Sequence, residues 1–108
     1  MTLDPEGIYK IARRAEWEAA IAAGQFEGSA HDRRDGFIHL SKGTQVPGVL
    51  QRYFAGERDL LVVQIDAALL HDLRWEAGKS EAFPHHYGPV PFAAMRIAHC
   101  LPIADALT

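Results

Sequence analysis

The stretch LLVVQI, residues 60–65, decides how this chain folds. Five of its six side chains are apolar, and such a short run without polar alternation is typical of a strand that is buried on both faces. The turn-forming segment GERD, residues 56–59, directly precedes it. We therefore expect residues 60–65 to form the central strand of a sheet.

The two predicted helices lie upstream of this strand. In residues 44–55, apolar side chains recur at the i, i+3, i+4, i+7 spacing of one helix face, at Val46, Val49, Leu50 and Tyr53. Residues 12–23 form the second predicted helix, and Gly24 gives it a C-terminal stop.

Further strands are predicted around the central one, and most of the strand signal follows residue 60. Between them, residues 27–35 are polar and turn-rich, and residues 77–83 are expected to be a loop. This segregation favours an α+β fold with a mixed or antiparallel sheet over a repeated βαβ arrangement. Of the two we expect the mixed form, as a split and twisted sheet. The other predicted strands are residues 7–11, 37–40, 73–76 and 94–101.

Composition excludes several classes of protein. A chain of 108 residues predicts a single domain, residues 1–108. The net charge is −3 and no basic run exceeds two residues, so nucleic-acid binding is not expected. Apolar runs are too short for a membrane span. The single cysteine, Cys100, fits a cytoplasmic protein and is expected to be a buried apolar group. Nothing in the composition decides the oligomeric state.

Residues 83–90, FPHHYGPV, are the first candidate for a functional site. Pro84 and Gly88 predict a loop of defined shape, and imidazole groups titrate near neutral pH. Because adjacent side chains diverge in an extended chain, we expect His85 to face a cleft and His86 to face solvent. Tyr87 would share the face of His85, and its alternative role is packing.

Residues 35–41, DGFIHLS, are the second candidate. On a strand, His39 and Ser41 would point the same way and could contact one ligand; the alternative is a structural His39 bonded to a nearby carbonyl. Glu76, beside Trp75, could act as a base or accept a bond from a sugar hydroxyl, and Glu81 is the competing carboxylate. No HxxxH, HxH or HExxH spacing is present, so no metal site is expected.

Five motifs in order carry a family resemblance: IYKI at 8–11, GFIHLS at 36–41, DLLVVQID at 59–66, WE at 75–76 and FPHHYGP at 83–89. Together they resemble a small uncharacterised bacterial family, domain of unknown function 952, which looks distantly similar to the ADP-ribosyltransferase fold. That similarity implies a sheet that clamps NAD. Lys10 would stand at the first-strand position, and His39 and Ser41 at the second. The stretch where the late acidic residue would fall holds no Glu.

These observations predict a small enzyme with a histidine-lined pocket, a glycosyl- or ADP-ribosyl-transferase-like protein acting on a nucleotide or phosphorylated sugar derivative. Two alternatives stay open: a non-catalytic module that binds a nucleotide-like small molecule, and a structural interaction domain. No cofactor is certain, and NAD is the candidate substrate. The expected catalytic residues are His39, Glu76 and His85, and the expected binding residues are Lys10, Ser41, Tyr87 and Gly88.

Overall fold

A computed structural model describes residues 1–101, and a four-stranded antiparallel sheet lies at its centre. The strand order is β4 (Ser41–Lys42), β1 (Ile8–Arg13), β5 (Leu60–Ile65) and β9 (Met95–Leu101). β5 pairs with β1 on one side and with β9 on the other. The prediction that residues 60–65 form a central strand is confirmed.

The apolar run of β5 supplies two hydrophobic cores, one on each face of this sheet. Leu61, Val63 and Ile65 belong to the larger core. Leu60 and Val62 belong to the smaller core, against which α3 (Val46–Tyr53) packs through Val46, Val49 and Leu50. Because neighbouring strand residues point to opposite faces, burial on both faces requires the continuous apolar sequence.

Two smaller sheets complete the strand structure. One has the order β3 (Ile38–His39), β7 (Ala82–His86), β6 (Leu73–Ala77), and the other pairs β2 (Gln25–Phe26) with β8 (Val90–Pro91). The α+β class is confirmed. Every strand pair within residues 1–101 is antiparallel, however, so the predicted mixed sheet is wrong. Tight connections such as the β6–β7 hairpin join antiparallel strands, whereas parallel neighbours need long crossovers.

The helices differ from the predicted ones in number and bounds. α1 (Arg14–Ala23) begins two residues later than expected because β1 extends through Arg13. A short 3₁₀ turn, Gly43–Gln45, leads into α3, which ends at Tyr53. A further helix, α2 (Ala30–Asp35), lies in the segment predicted to be turns.

A capping box fixes the start of α2. The Ser29 hydroxyl accepts a hydrogen bond from the Asp32 backbone N–H at 3.1 Å, and the Asp32 carboxylate accepts one from the Ser29 N–H at 2.9 Å. These reciprocal bonds satisfy donors at the helix start that have no partner in the helix itself. The helix is too short and polar to show an apolar stripe, which is why periodicity missed it.

Two predicted segments near the site differ in their local structure. The predicted strand 37–40 is confirmed only at Ile38–His39, which form β3 and pair with β7. Ser41, expected on the same strand face as His39, belongs instead to β4, which pairs with β1. The predicted loops at 77–83 and 83–90 contain β7 and part of its hairpin with β6. The fixed φ of Pro84 is compatible with extended backbone, and β7 is paired on both sides.

Cys100 is exposed, so the expectation of a buried thiol is wrong. It lies on β9, the last strand in the order of the main sheet, where part of the strand faces solvent. None of the helices in the described part of the chain is long and apolar enough to cross a membrane.

Candidate functional site

A cavity of about 440 Å³ lies where the three-stranded sheet meets β1, α2 and α3. Four of the seven residues predicted for the site line it: Lys10, His39, Ser41 and His85. The other three, Glu76, Tyr87 and Gly88, lie outside its lining.

His39 and His85 line the cavity together. They are directly opposite each other on β3 and β7, and their ring centroids are 5.5 Å apart. The Phe37 ring stacks on His85 at 4.1 Å and also contacts His39 at 4.6 Å. Strand pairing therefore brings together two imidazoles that are far apart in sequence.

His86 points away from the cavity, as the divergence of adjacent side chains requires. It does not face solvent as expected, because its side chain is fully buried. Its Nδ1–H donates to the Gly88 carbonyl oxygen at 2.8 Å, and the His71 ring packs edge-on against it. Burial lowers the pKa of His86, so the fold favours the neutral ring.

Asp32 is the buried carboxylate that organises the site. Its Oδ1 accepts hydrogen bonds from His39 Nδ1 at 2.7 Å and from the His39 backbone N–H. Its Oδ2 accepts one from the Ser29 N–H and lies 2.9 Å from Lys10 Nζ. Burial alone would raise the pKa of Asp32, but the His39 hydrogen bond and the Lys10 charge hold it well below its usual range. The carboxylate is therefore ionised and holds the imidazole in one orientation.

Lys10 reaches the site from β1 and is itself buried. Besides its ion pair with Asp32, its ammonium donates to the His39 carbonyl oxygen at 3.0 Å. Lys10 thus ties β1 to α2 and β3. These contacts hold the cavity together.

Glu76 holds His85 from outside the cavity. One oxygen of its carboxylate accepts hydrogen bonds from His85 Nδ1 at 2.8 Å and from the Tyr87 hydroxyl at 2.7 Å. These two bonds lower the pKa of Glu76, and the same Glu76 contact raises the pKa of Tyr87. The competing carboxylate, Glu81, accepts a hydrogen bond from Gln45 Nε2 at 2.9 Å.

The cavity rim carries cationic and aromatic side chains. Arg52 and Lys79 line it, and neither forms an ion pair within residues 1–101. Arg13 also lines it but is held by Glu57 at 2.9 Å. Tyr53, on the predicted apolar face of α3, is instead 58% exposed and belongs to the rim.

The sequence has clear relatives. The model of a family described as "Protein of unknown function (DUF952)" matches residues 11–98.

The chain belongs to the DUF952 family.

The crystal structure of protein CC0527 from Caulobacter crescentus is similar to this DUF952 chain, with a TM-score of 0.80 and 47% identity over 84% of this chain and 82% of that chain. The solution NMR structure of CC0527 gives a TM-score of 0.75 and 42% identity over 95% and 97% of the two chains. Comparison with curated proteins gave no match. The fold is thus shared with solved structures.

Three residues of the DUF952 site were missed from the sequence: Asp32, His31 and Asp35. His31 Nε2 lies 3.2 Å and His39 Nε2 lies 3.0 Å from the same oxygen of Asp35. Two signals in the sequence could have identified them. One is the Ser-x-x-Asp capping pattern at residues 29–32, and the other is the spacing of four residues between positions 31, 35 and 39. Both lie in a segment whose polarity suggested only turns.

Proposed function

We propose that the cavity of this DUF952 protein binds a small anionic ligand, a nucleotide-like molecule or a phosphorylated sugar derivative, and that His85 transfers a proton to or from it. The observation that carries the proposal is the 2.8 Å bond from His85 Nδ1 to Glu76. It leaves Nε2 as the ring nitrogen for a ligand, and a base oriented by a third group is the usual arrangement in acid–base catalysis.

The choice of ligand class rests on the cavity. Its volume falls within the range of small-molecule sites, roughly 300–1,000 Å³. Arg52 and Lys79 supply positive charge for phosphate oxygens, and Tyr53 and Phe83 supply surfaces against which a ring can stack. His39 and Ser41 would bond to hydroxyl or phosphate oxygens deeper in the cavity.

The five sequence motifs resemble a family that looks distantly similar to the ADP-ribosyltransferase fold. On that resemblance NAD is the first substrate to test, with glycosyl or ADP-ribosyl transfer as the proposed reaction. A cytoplasmic location belongs to the same proposal and is supported by the single cysteine.

The second candidate is a non-catalytic binding module. Its support is the position of Glu76, which accepts bonds from His85 and Tyr87 and does not line the cavity. Among the described residues, no acidic side chain from the last third of the chain lines the cavity. None is therefore placed to act on the nicotinamide ribose. The third alternative, an interaction domain, required His39 and His85 to be far apart, and their 5.5 Å separation disfavours it.

Binding can be tested by thermal unfolding with NAD, ADP-ribose, AMP and ribose 5-phosphate. A ligand at a hundredfold excess over Kd stabilises the fold by about 2.7 kcal/mol, which is a clear rise in Tm. The double variant Arg52→Ala/Lys79→Ala should weaken binding by roughly tenfold or more, because it removes two charges from the rim. Arg96→Ala is the matched control, since Arg96 lies outside the cavity and bonds to Gln64. The proposal is wrong if no compound raises the Tm.

Catalysis can be tested by following nicotinamide release from NAD. His85→Asn should reduce turnover by roughly 10²–10⁴-fold and leave the ligand-induced Tm shift almost unchanged, because it removes proton transfer rather than binding. Binding without any product in the unmodified protein would replace this mechanism with the binding-module candidate.

A further inference from the structure

Three potential metal ligands recur at every fourth position in residues 31–39, HDRRDGFIH. α2 places His31 and Asp35 one turn apart on the same side of the helix. Gly36 ends the helix in the left-handed conformation, at φ 85°, and the chain then returns along β3. His39 is thereby brought back beside the two helical side chains.

The distances within this group suit a single ion. One ligand atom from each side chain lies within 4.8 Å of the others. The two shortest separations, from Asp35 Oδ2 to the Nε2 atoms of His39 and His31, are 3.0 and 3.2 Å. Ligands at about 2.0–2.1 Å from one metal ion lie roughly 3.0–3.4 Å apart. An ion could therefore bind after small side-chain adjustments.

We propose that His31, Asp35 and His39 bind one divalent transition-metal ion of the Zn²⁺ or Fe²⁺ class. Two imidazoles and one carboxylate are a ligand set that such ions use when coordination positions stay open for water or substrate. All three residues line the cavity already described, so the open positions would lie at its edge. Ion binding does not require the proposed nucleotide ligand. A bound ion would occupy His39 Nε2, so a ligand oxygen would then contact the ion in place of that nitrogen.

The surroundings of His39 favour this role. Its Nδ1–H donates to the buried Asp32 carboxylate at 2.7 Å, which leaves Nε2 as the atom that faces Asp35. A carboxylate that fixes the far nitrogen of a histidine is the usual support of a metal-binding imidazole. Because Asp32 is itself held by Lys10 and the capping box, the His39 ring is oriented before any ion arrives.

Arg34 holds two of the three proposed ligand side chains through their other polar atoms. It donates to His31 Nδ1 at 3.2 Å and to Asp35 Oδ1 at 3.3 Å. A bound ion requires the proton of His31 to sit on Nδ1, so the Arg34 guanidinium must leave. Its side chain is 69% exposed and can move into solvent.

The test is a titration of the metal-free full chain with Co²⁺ and Zn²⁺, followed by Co²⁺ absorbance and by calorimetry. We expect one ion per chain. His31→Gln and Asp35→Asn should each weaken the affinity by at least tenfold, and Arg34→Gln should strengthen it by threefold or more. Thermal melts in chelator check that each variant is folded, which the exposure of these side chains favours.

His71→Gln and Cys100→Ser are the controls, because both residues are exposed potential ligands outside the group. Each should keep the original affinity within twofold. The proposal is overturned if no ion binds, or if His31→Gln and Asp35→Asn leave the affinity unchanged. A weaker affinity in Arg34→Gln would also contradict it. No nucleotide is present in these titrations, so their failure is distinct from failure of the proposed function.

Discussion

At the scale of single residues, His86 links the stability of the fold to pH. Its side chain is fully buried, and within the described chain its Nε2 has no hydrogen-bond partner. Burial lowers its folded-state pKa, and the nearby charges are those of His71, which lowers it, and Asp72, which raises it. The unfolded chain therefore binds a proton first as the pH falls. The stability contributed by the neutral ring is present above about pH 6.5 and is lost below it, by at most ~1.4 kcal/mol per pH unit. His86→Gln should flatten this loss in chemical denaturation between pH 7 and pH 5, whereas His71→Gln should retain it. An equally steep loss in His86→Gln would show that other groups cause it.

At the scale of elements, Gly43 joins β4 to the 3₁₀ turn that leads into α3. A Cβ atom there would overlap the main-chain carbonyl of Asp4, and the Gly43 N–H donates to the Gly7 carbonyl oxygen at 2.8 Å. Gly43→Ala should therefore destabilise the fold by about 1–3 kcal/mol, because backbone rather than a side chain must move. Gly48 is the matched control: it lies in α3, and no atom lies within 4 Å of a Cβ built on it. Gly48→Ala should be neutral or stabilise by about 0.5–1 kcal/mol, through helix propensity alone. Urea unfolding of both variants checks the contrast, and equal effects would contradict it.

At the scale of the whole molecule, the sequence predicted the central strand better than it predicted the partners of the shorter strands. The apolar run at residues 60–65 indicated a central strand because a strand that is buried on both faces has apolar side chains at nearly every position. The change of sheet between His39 and Ser41 cannot be recognised from composition, since it depends on the distant strand with which each residue pairs. Pro84 and the two histidines after it suggested a loop, yet pairing on both sides makes that segment a strand.

The candidate site was predictable to the extent that its chemistry is visible in short motifs. His39 and His85 were selected from their local sequence, and the structure places them in one cavity wall. Asp32 was missed because a buried carboxylate in a polar segment looks like any exposed one. Only the fold shows that Lys10, from a strand far away in sequence, compensates its charge.

The central position of β5 also bears on how the chain is made. β5 needs β1 from the beginning of the chain and β9 from the end of its described part. A ribosome releases β9 last among these strands, and until then one edge of β5 and the Met95 side of its core stay uncovered. The sheet can therefore be completed only after synthesis of β9, and until then the nascent chain carries an unpaired strand edge beside uncovered apolar side chains.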